Sequence, residues 1–259
     1  MGPFQSWRSG RLNEGSRIKC FDQLAHVTFL IARAPQVKLN ASEELNMSNP
    51  FHDLFAFFQK STLHGRFPIY VFIVLLLASI GVALFNFARD SEQRTVQNVY
   101  MWLARFFVGG MWYQQMVWKM PPTFTDNPDG SGGLGYWMGE MVKYAAFKPQ
   151  ASLVNDLMLP NFKVFAFQVW AGETFIAVSL LLGLFTRLGG LLGTLMAINL
   201  WLGLYNRPNE WPWTYFFLIL LNGFFLIFRA GRALGVDALI APRTPPTGGF
   251  VKRVFWWIS

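Results

Sequence analysis

One carboxylate stands inside a long stretch that is otherwise uncharged. Between Val164 and Thr186 the only formal charge is Glu173, and Leu188 to Tyr205 carries none. A lone charge at the centre of a bilayer is costly, so Glu173 must face protein, a cation or water, or hold a proton. Its chemistry is then proton relay or the organisation of an anion site; the plainer alternative is a buried contact between helices. A second isolated charge, Arg105, is the only one between Thr95 and Trp118. Three uses fit it: snorkelling to the membrane interface, pointing inward to hold an anionic or carbonyl group, or pairing with Glu173. Helix rise separates the two charges by ~10 Å in depth, so a direct pair requires Arg105 to reach inward. Gln168, Asn199 and Asn222 read as interhelical hydrogen bonds worth on the order of 1 kcal/mol each.

The elements that must position these groups are apolar runs of membrane-crossing length. A helix needs about 20 apolar residues to cross a bilayer, and such runs are predicted at 67–88, 95–118, 164–186, 188–205 and, more briefly, 213–228. The third and fourth form a hairpin whose turn, Gly183 to Gly190, carries Arg187 among glycines. Residues 121–162 are the longest connection. Pro121 to Gly135 is rich in Pro, Gly, Asp and Asn and should be irregular, whereas Tyr136 to Phe147 reads as an interfacial helix whose aromatics either anchor it or let it roof a cavity as a lid. The fold class is therefore an all-α polytopic membrane protein. Ahead of it, 1–46 reads as a disordered extension or as sequence upstream of a start at Met47. Residues 47–66 hold a short amphipathic segment, with Phe51, Leu54, Phe55 and Phe58 on one face. Residues 240–259 form a basic tail. Counting positive charge places Arg89, Arg94, Arg187 and the basic residues from Arg229 to Arg253 together on the cytoplasmic side, while Lys119, Lys143, Lys148 and Lys163 count the other way.

Composition narrows the chemistry. The chain is 53% hydrophobic and 14% charged, which excludes an ordinary soluble surface. Its single cysteine, Cys20, excludes an internal disulfide and any cysteine-ligated cluster. His26, His52 and His64 all precede the first span, so neither haem ligation among the helices nor a metal site is expected. The formal charge of +8 would suit nucleic acid, but the basic residues gather in the tails and at span ends, where lipid headgroups account for them.

Arg105, Gly109, Lys119, Glu173, the run SLLLGLFTRLGGLLG from Ser179 to Gly193 and AGRALGVDAL from Ala230 to Leu239 together resemble the DoxX family. The long lid and the stretch EWPWTY from Glu210 to Tyr215 look most like its DoxD-like branch, the small membrane subunit of thiosulfate:quinone oxidoreductase. The resemblance spans 95–239 and implies a four-helix transmembrane bundle, to which 67–88 adds one N-terminal helix. It implies a multi-pass protein of a prokaryotic cytoplasmic membrane, working with a separate redox subunit on a quinone. In that setting Glu173 and Arg105 are the candidate catalytic residues. Lys119 is a candidate donor to a quinone carbonyl, and Trp112, Tyr113 and Trp170 are candidate stacking partners. The alternative is a non-catalytic accessory subunit packed in a larger respiratory, photosynthetic or sulfur-oxidising complex, with Gly189 and Gly193 allowing close helix approach.

Overall fold

The computed structural model describes residues 56, 65–127, 129, 132–241 and 249–259. The 1–46 extension and, positions 56, 65 and 66 apart, the 47–66 amphipathic segment lie outside them. Among the described residues all regular structure is helical. The long helices are α1 (Phe67–Arg89), α2 (Val96–Val117), α5 (Phe162–Leu182), α6 (Thr186–Gly203) and α7 (Pro212–Phe228). Between α2 and α5 lie α3 (Leu134–Tyr144) and α4 (Lys148–Ser152); after α7 come α8 (Asp237–Ile240) and α9 (Phe250–Ile258). On length and apolarity alone, α1 and α5 are long enough to cross a membrane, and α7 is apolar but shorter at 17 residues. Helices α2 and α6 are diluted by Arg105 and glutamines and by glycines, respectively.

Local chemistry sets the boundaries. Pro68 and Pro212 occupy first turns, where a missing N–H costs nothing. Thr95 caps α2 by accepting from the Asn98 N–H at 3.2 Å. Helix α5 stops at Gly183, whose φ of +68° is the left-handed conformation that glycine supplies without strain. The hairpin turn is shorter than the glycine-rich sequence predicts, because α6 already begins at Thr186. That early start is possible because its first N–H groups find an acceptor elsewhere in the chain, described below.

Consecutive long helices run antiparallel. The Tyr113 hydroxyl donates to the Pro68 carbonyl at 2.7 Å, joining the far end of α2 to the start of α1. Gly109 on α2 lies against Leu180 and Leu181 at the end of α5. At Gly190, an added Cβ would sit 2.7 Å from the Leu226 nitrogen and 2.8 Å from the Asn222 carbonyl oxygen of α7. Gly189 and Gly193 press on Ser179 and Asn222. The glycine stripe is thus taken up by contacts inside the chain.

Two apolar clusters result. One fills the helix bundle around Trp112, Tyr113, Ile176, Leu180 and Phe225. The other lies under the lid, around Phe124, Leu134, Met138, Met141 and Val154, against Ala166 of α5 and Leu204 after α6. The lid is fastened as well as packed: the Ala146 N–H donates to the Leu202 carbonyl at 2.7 Å and the Asn206 N–H to the Tyr144 carbonyl at 3.0 Å. Of the polar spans expected to bond between helices, Asn222 accepts from the Trp112 indole N–H at 3.3 Å and Asn199 accepts from Gln150 of α4 at 2.8 Å. Gln168 is exposed instead. The expected basic tail also differs, since its last residues form α9, which packs back on α6. Val251, Phe255 and Ile258 share one face at helical spacing.

Candidate functional site

Helix α2 ends at Val117, while α5 continues past it for several turns toward the lid. The residues just after α2 therefore fold into the half of the structure where the lid replaces a helix. Lys119 turns inward there and forms an ion pair with Glu173. Both are buried, at 5% and 1% exposure, so the pair is screened little by solvent. The Lys119 ammonium also lies 4.6 Å from the centre of the Trp118 ring.

The pair sits at the seam between the two apolar clusters. Glu173 lies between Trp170, which packs against both clusters, and Ile176, which belongs to the bundle cluster. Glu173 uses one oxygen, Oε1, for Lys119; no described group donates to Oε2. One helical turn earlier, the buried Trp170 indole N–H also has no described acceptor. Buried polar atoms are nearly always paired, so Oε2 of Glu173 and the Trp170 N–H, one turn apart, are the atoms here with capacity for a further polar partner.

Arg105 is not in this place. Its guanidinium is fully buried at the opposite end of the bundle, donating from Nη1 to the Leu180 carbonyl at 2.6 Å and from Nη2 to the Ala233 carbonyl at 3.1 Å. Arg105 points inward, but what it holds are two backbone carbonyls of its own chain, that of Leu180 lying at the C-terminal end of α5, where the helix dipole favours a cation. It neither snorkels nor meets Glu173. The depth difference that made a direct pair demanding is not bridged.

The carbonyl of Ala233 belongs to a hub between α7 and the end of α8. Asp237 is buried there and accepts from the Phe185 N–H at 2.8 Å, the Thr186 N–H at 3.1 Å and the Thr186 hydroxyl at 2.9 Å. This is the remote cap that lets α6 begin at Thr186. The Gly231 N–H donates to the same hydroxyl at 2.8 Å. Asn86 of α1 donates to the Gly235 carbonyl at 3.0 Å, and Gln93 both accepts from the Leu234 N–H and donates to the Arg232 carbonyl. The segment from Ala230 to Asp237 thus binds α1, α2, α5 and α6 together. Burial pushes the Asp237 carboxyl above its ordinary value against the pull of its donors. The bonds that Asp237, Asn86 and Gln93 make here fasten helices together.

The remaining candidates divide. Trp112 and Tyr113 are buried and satisfied, by Asn222 and by the Pro68 carbonyl, and Tyr113 stacks on Phe72 at 4.8 Å between ring centres. They belong to the bundle cluster. Trp170 stays with Glu173. Sequence reasoning missed a clasp on the lid: Glu140 of α3 accepts from Lys143 at 2.9 Å and from Arg207 at 3.3 Å, and Arg207 reaches Glu210 at 2.8 Å. Glu210 also accepts from the Tyr215 hydroxyl at 3.1 Å, and the Arg207 guanidinium lies 4.4 Å from the Trp137 ring centre. Among the described residues no group of His, Cys, Asp and Glu is placed to hold a metal.

Comparison with family models, with curated proteins and with solved structures finds no match to this chain in any of the three.

Proposed function

We propose that the chain is a polytopic membrane protein of DoxX-like build, with α1 as the added helix, serving as the membrane subunit of a quinone-linked oxidoreductase that works with a separate redox partner. The observation that carries this is the buried Lys119–Glu173 pair with Oε2 of Glu173 and the N–H of Trp170 left open beside it. Those atoms offer one acceptor and one donor, which suits a ring bearing carbonyl or hydroxyl oxygens. Lys119 and Trp170 would hold such a group by donating, and Glu173 by accepting. A bound quinone supplies the redox chemistry, taking up electrons in pairs together with protons.

The protein's part is electrostatic. Lys119 supplies the counter-ion that the buried Glu173 needs and leaves Oε2 open. Oε2 is then able to take a proton and return it, which is the requirement for a relay. The lid and its clasp exclude bulk water from the seam, so each of these interactions is stronger than it would be at a surface. Arg105 takes no part, and its duties are those of a cap.

The test is to purify the protein gently from its native membrane and quantify extracted quinone and co-purifying polypeptides by mass spectrometry. Quinone at about one per chain, lost in Glu173→Gln with the folded protein retained and kept in Arg105→Lys, is expected. Quinone that is absent, or indifferent to Glu173→Gln, overturns the reading. A larger complex that retains full turnover with Glu173→Gln would make the chain an accessory subunit.

A further inference from the structure

At the end of the bundle opposite the lid, three arginines meet beneath α9. Arg187, near the start of α6, donates from Nε to the Leu226 carbonyl at 3.1 Å, and its guanidinium lies 4.8 Å from the Trp257 ring centre. Arg229, in the left-handed conformation that ends α7, places its guanidinium 3.6 Å from the Trp256 ring centre. Arg232 approaches the same ring at 5.7 Å. None of the three forms a salt bridge with a described carboxylate. Nε and Nη2 of Arg232 are buried and have no acceptor among the described residues. The nearby Asp237 has its oxygens committed to Phe185 and Thr186. Burial, followed by the charges of their neighbours, lowers the proton affinity of Arg229, and burial with Arg187 does the same to Arg232 against the opposing charge of Asp237.

Three neighbouring like charges set against tryptophan rings, one of them with two N–H groups lacking a described acceptor, call for an anion. Helix α9 indicates where it comes from. Phe255 and Trp256 are turned to the bundle, Phe255 packing edge-on against Phe185 at 5.7 Å. Phe250, Val254 and Trp257 are exposed beside Lys252 and Arg253. An exposed apolar face flanked by lysine and arginine is the pattern of a helix lying in a membrane interface. We propose that Arg187, Arg229 and Arg232 bind the headgroup phosphate of one anionic phospholipid, with α9 lying on the same leaflet above it. The proposal rests on the membrane placement given above but not on the quinone reading, which concerns the other end of the molecule. Guanidinium groups bind phosphate through paired N–H donors, and the tryptophans hold them preorganised.

The experiment is native mass spectrometry of the full chain in detergent, titrated with phosphatidylglycerol, with phosphatidylcholine of the same acyl chains, or with inorganic phosphate. One phosphatidylglycerol should be retained at energies that strip phosphatidylcholine. Arg232→Gln should weaken retention roughly tenfold, the loss expected for one charge-assisted contact, whereas Lys252→Gln should change it little. Equal retention of both lipids, or retention unchanged in Arg232→Gln, overturns the proposal, as does inorganic phosphate displacing the lipid at equal concentration. Thermal unfolding of the unmutated chain provides a check that needs no variant. Phosphatidylglycerol should raise the midpoint saturably and phosphatidylcholine should not; identical midpoints refute the site. A chain that carbonate washing releases from membranes would instead remove the membrane placement itself.

Discussion

The Lys119–Glu173 pair makes a prediction that can be worked through as a cycle. Both side chains are almost entirely buried, so removing one partner leaves a desolvated charge with no counter-ion. Breaking a buried pair in this way costs about 3–5 kcal/mol. Replacing both with neutral groups of similar shape removes the charge as well as the attraction, and such replacements are often close to neutral. Lys119→Met and Glu173→Gln should therefore each lower stability by about 3–5 kcal/mol, while the double variant should fall within about 1 kcal/mol of the parent. For a chain of this size each kcal/mol is roughly 2–4 °C in the unfolding midpoint, so the single variants should melt ~6–20 °C early. The assay is thermal unfolding in a mild detergent, followed by tryptophan fluorescence on all four members of the cycle. Single variants that melt with the parent would show that the pair is hydrated and worth little. Losses that simply add in the double variant would show that the two residues act separately, and the seam would lose its claim to be a site.

Other expectations follow from the same geometry. Arg105→Ala leaves the Leu180 and Ala233 carbonyls without their donor, and at about 1–3 kcal/mol for each buried acceptor it should destabilise the fold strongly, with quinone retention unaffected in the protein that does fold. Gly190→Ala drives a methyl group into the backbone of α7 and should cost about 1–3 kcal/mol in the same unfolding assay, more than Gly139→Ala, where no atom lies within 4 Å of the added Cβ. The lid should loosen in acid. Donation from Lys143, opposed by partial burial and aided by Arg207, holds the Glu140 carboxyl below its ordinary value. A depressed carboxyl contributes stability that is present above the ordinary glutamate value and is lost as pH falls through the lower folded value. Hydrogen exchange across α3 should rise over that acid window in the parent and lose its pH dependence in Glu140→Gln.

The long helices were legible because apolar runs and glycine or proline punctuation act locally. Predicted and observed ends agree to within a few residues, from Phe67 to Phe228. The glycines of the α6 stripe were legible as close-approach points, though not whom they approach. What the sequence hid is contact between distant residues. Lys119 sits directly after a helix end and reads as an interfacial anchor; only the early stop of α2 beside the longer α5 turns it toward Glu173. Asp237 is separated by 51 positions from the Thr186 it caps, and no periodicity connects them. The Glu140–Arg207–Glu210 clasp was hidden for the same reason, its halves lying on opposite sides of α5 and α6 in the chain. Helix α9 is different, since the spacing of Val251, Phe255 and Ile258 was available and a basic, proline-containing context obscured it.

The remote cap on α6 also has a consequence for biosynthesis. The chain emerges from the ribosome with the α5–α6 hairpin made long before Asp237, so the N–H groups of Phe185 and Thr186 must wait for an acceptor that arrives only after α7 has been translated. Arg105 waits likewise for the Ala233 carbonyl. Pairing of α2 with α5 and of α6 with α7 can precede this step, but the latch that joins the two pairs follows both of them in the chain. Final closure of this end therefore waits for Asp237, and a ribosome stalled before it would hold two helical pairs that have yet to be locked to one another.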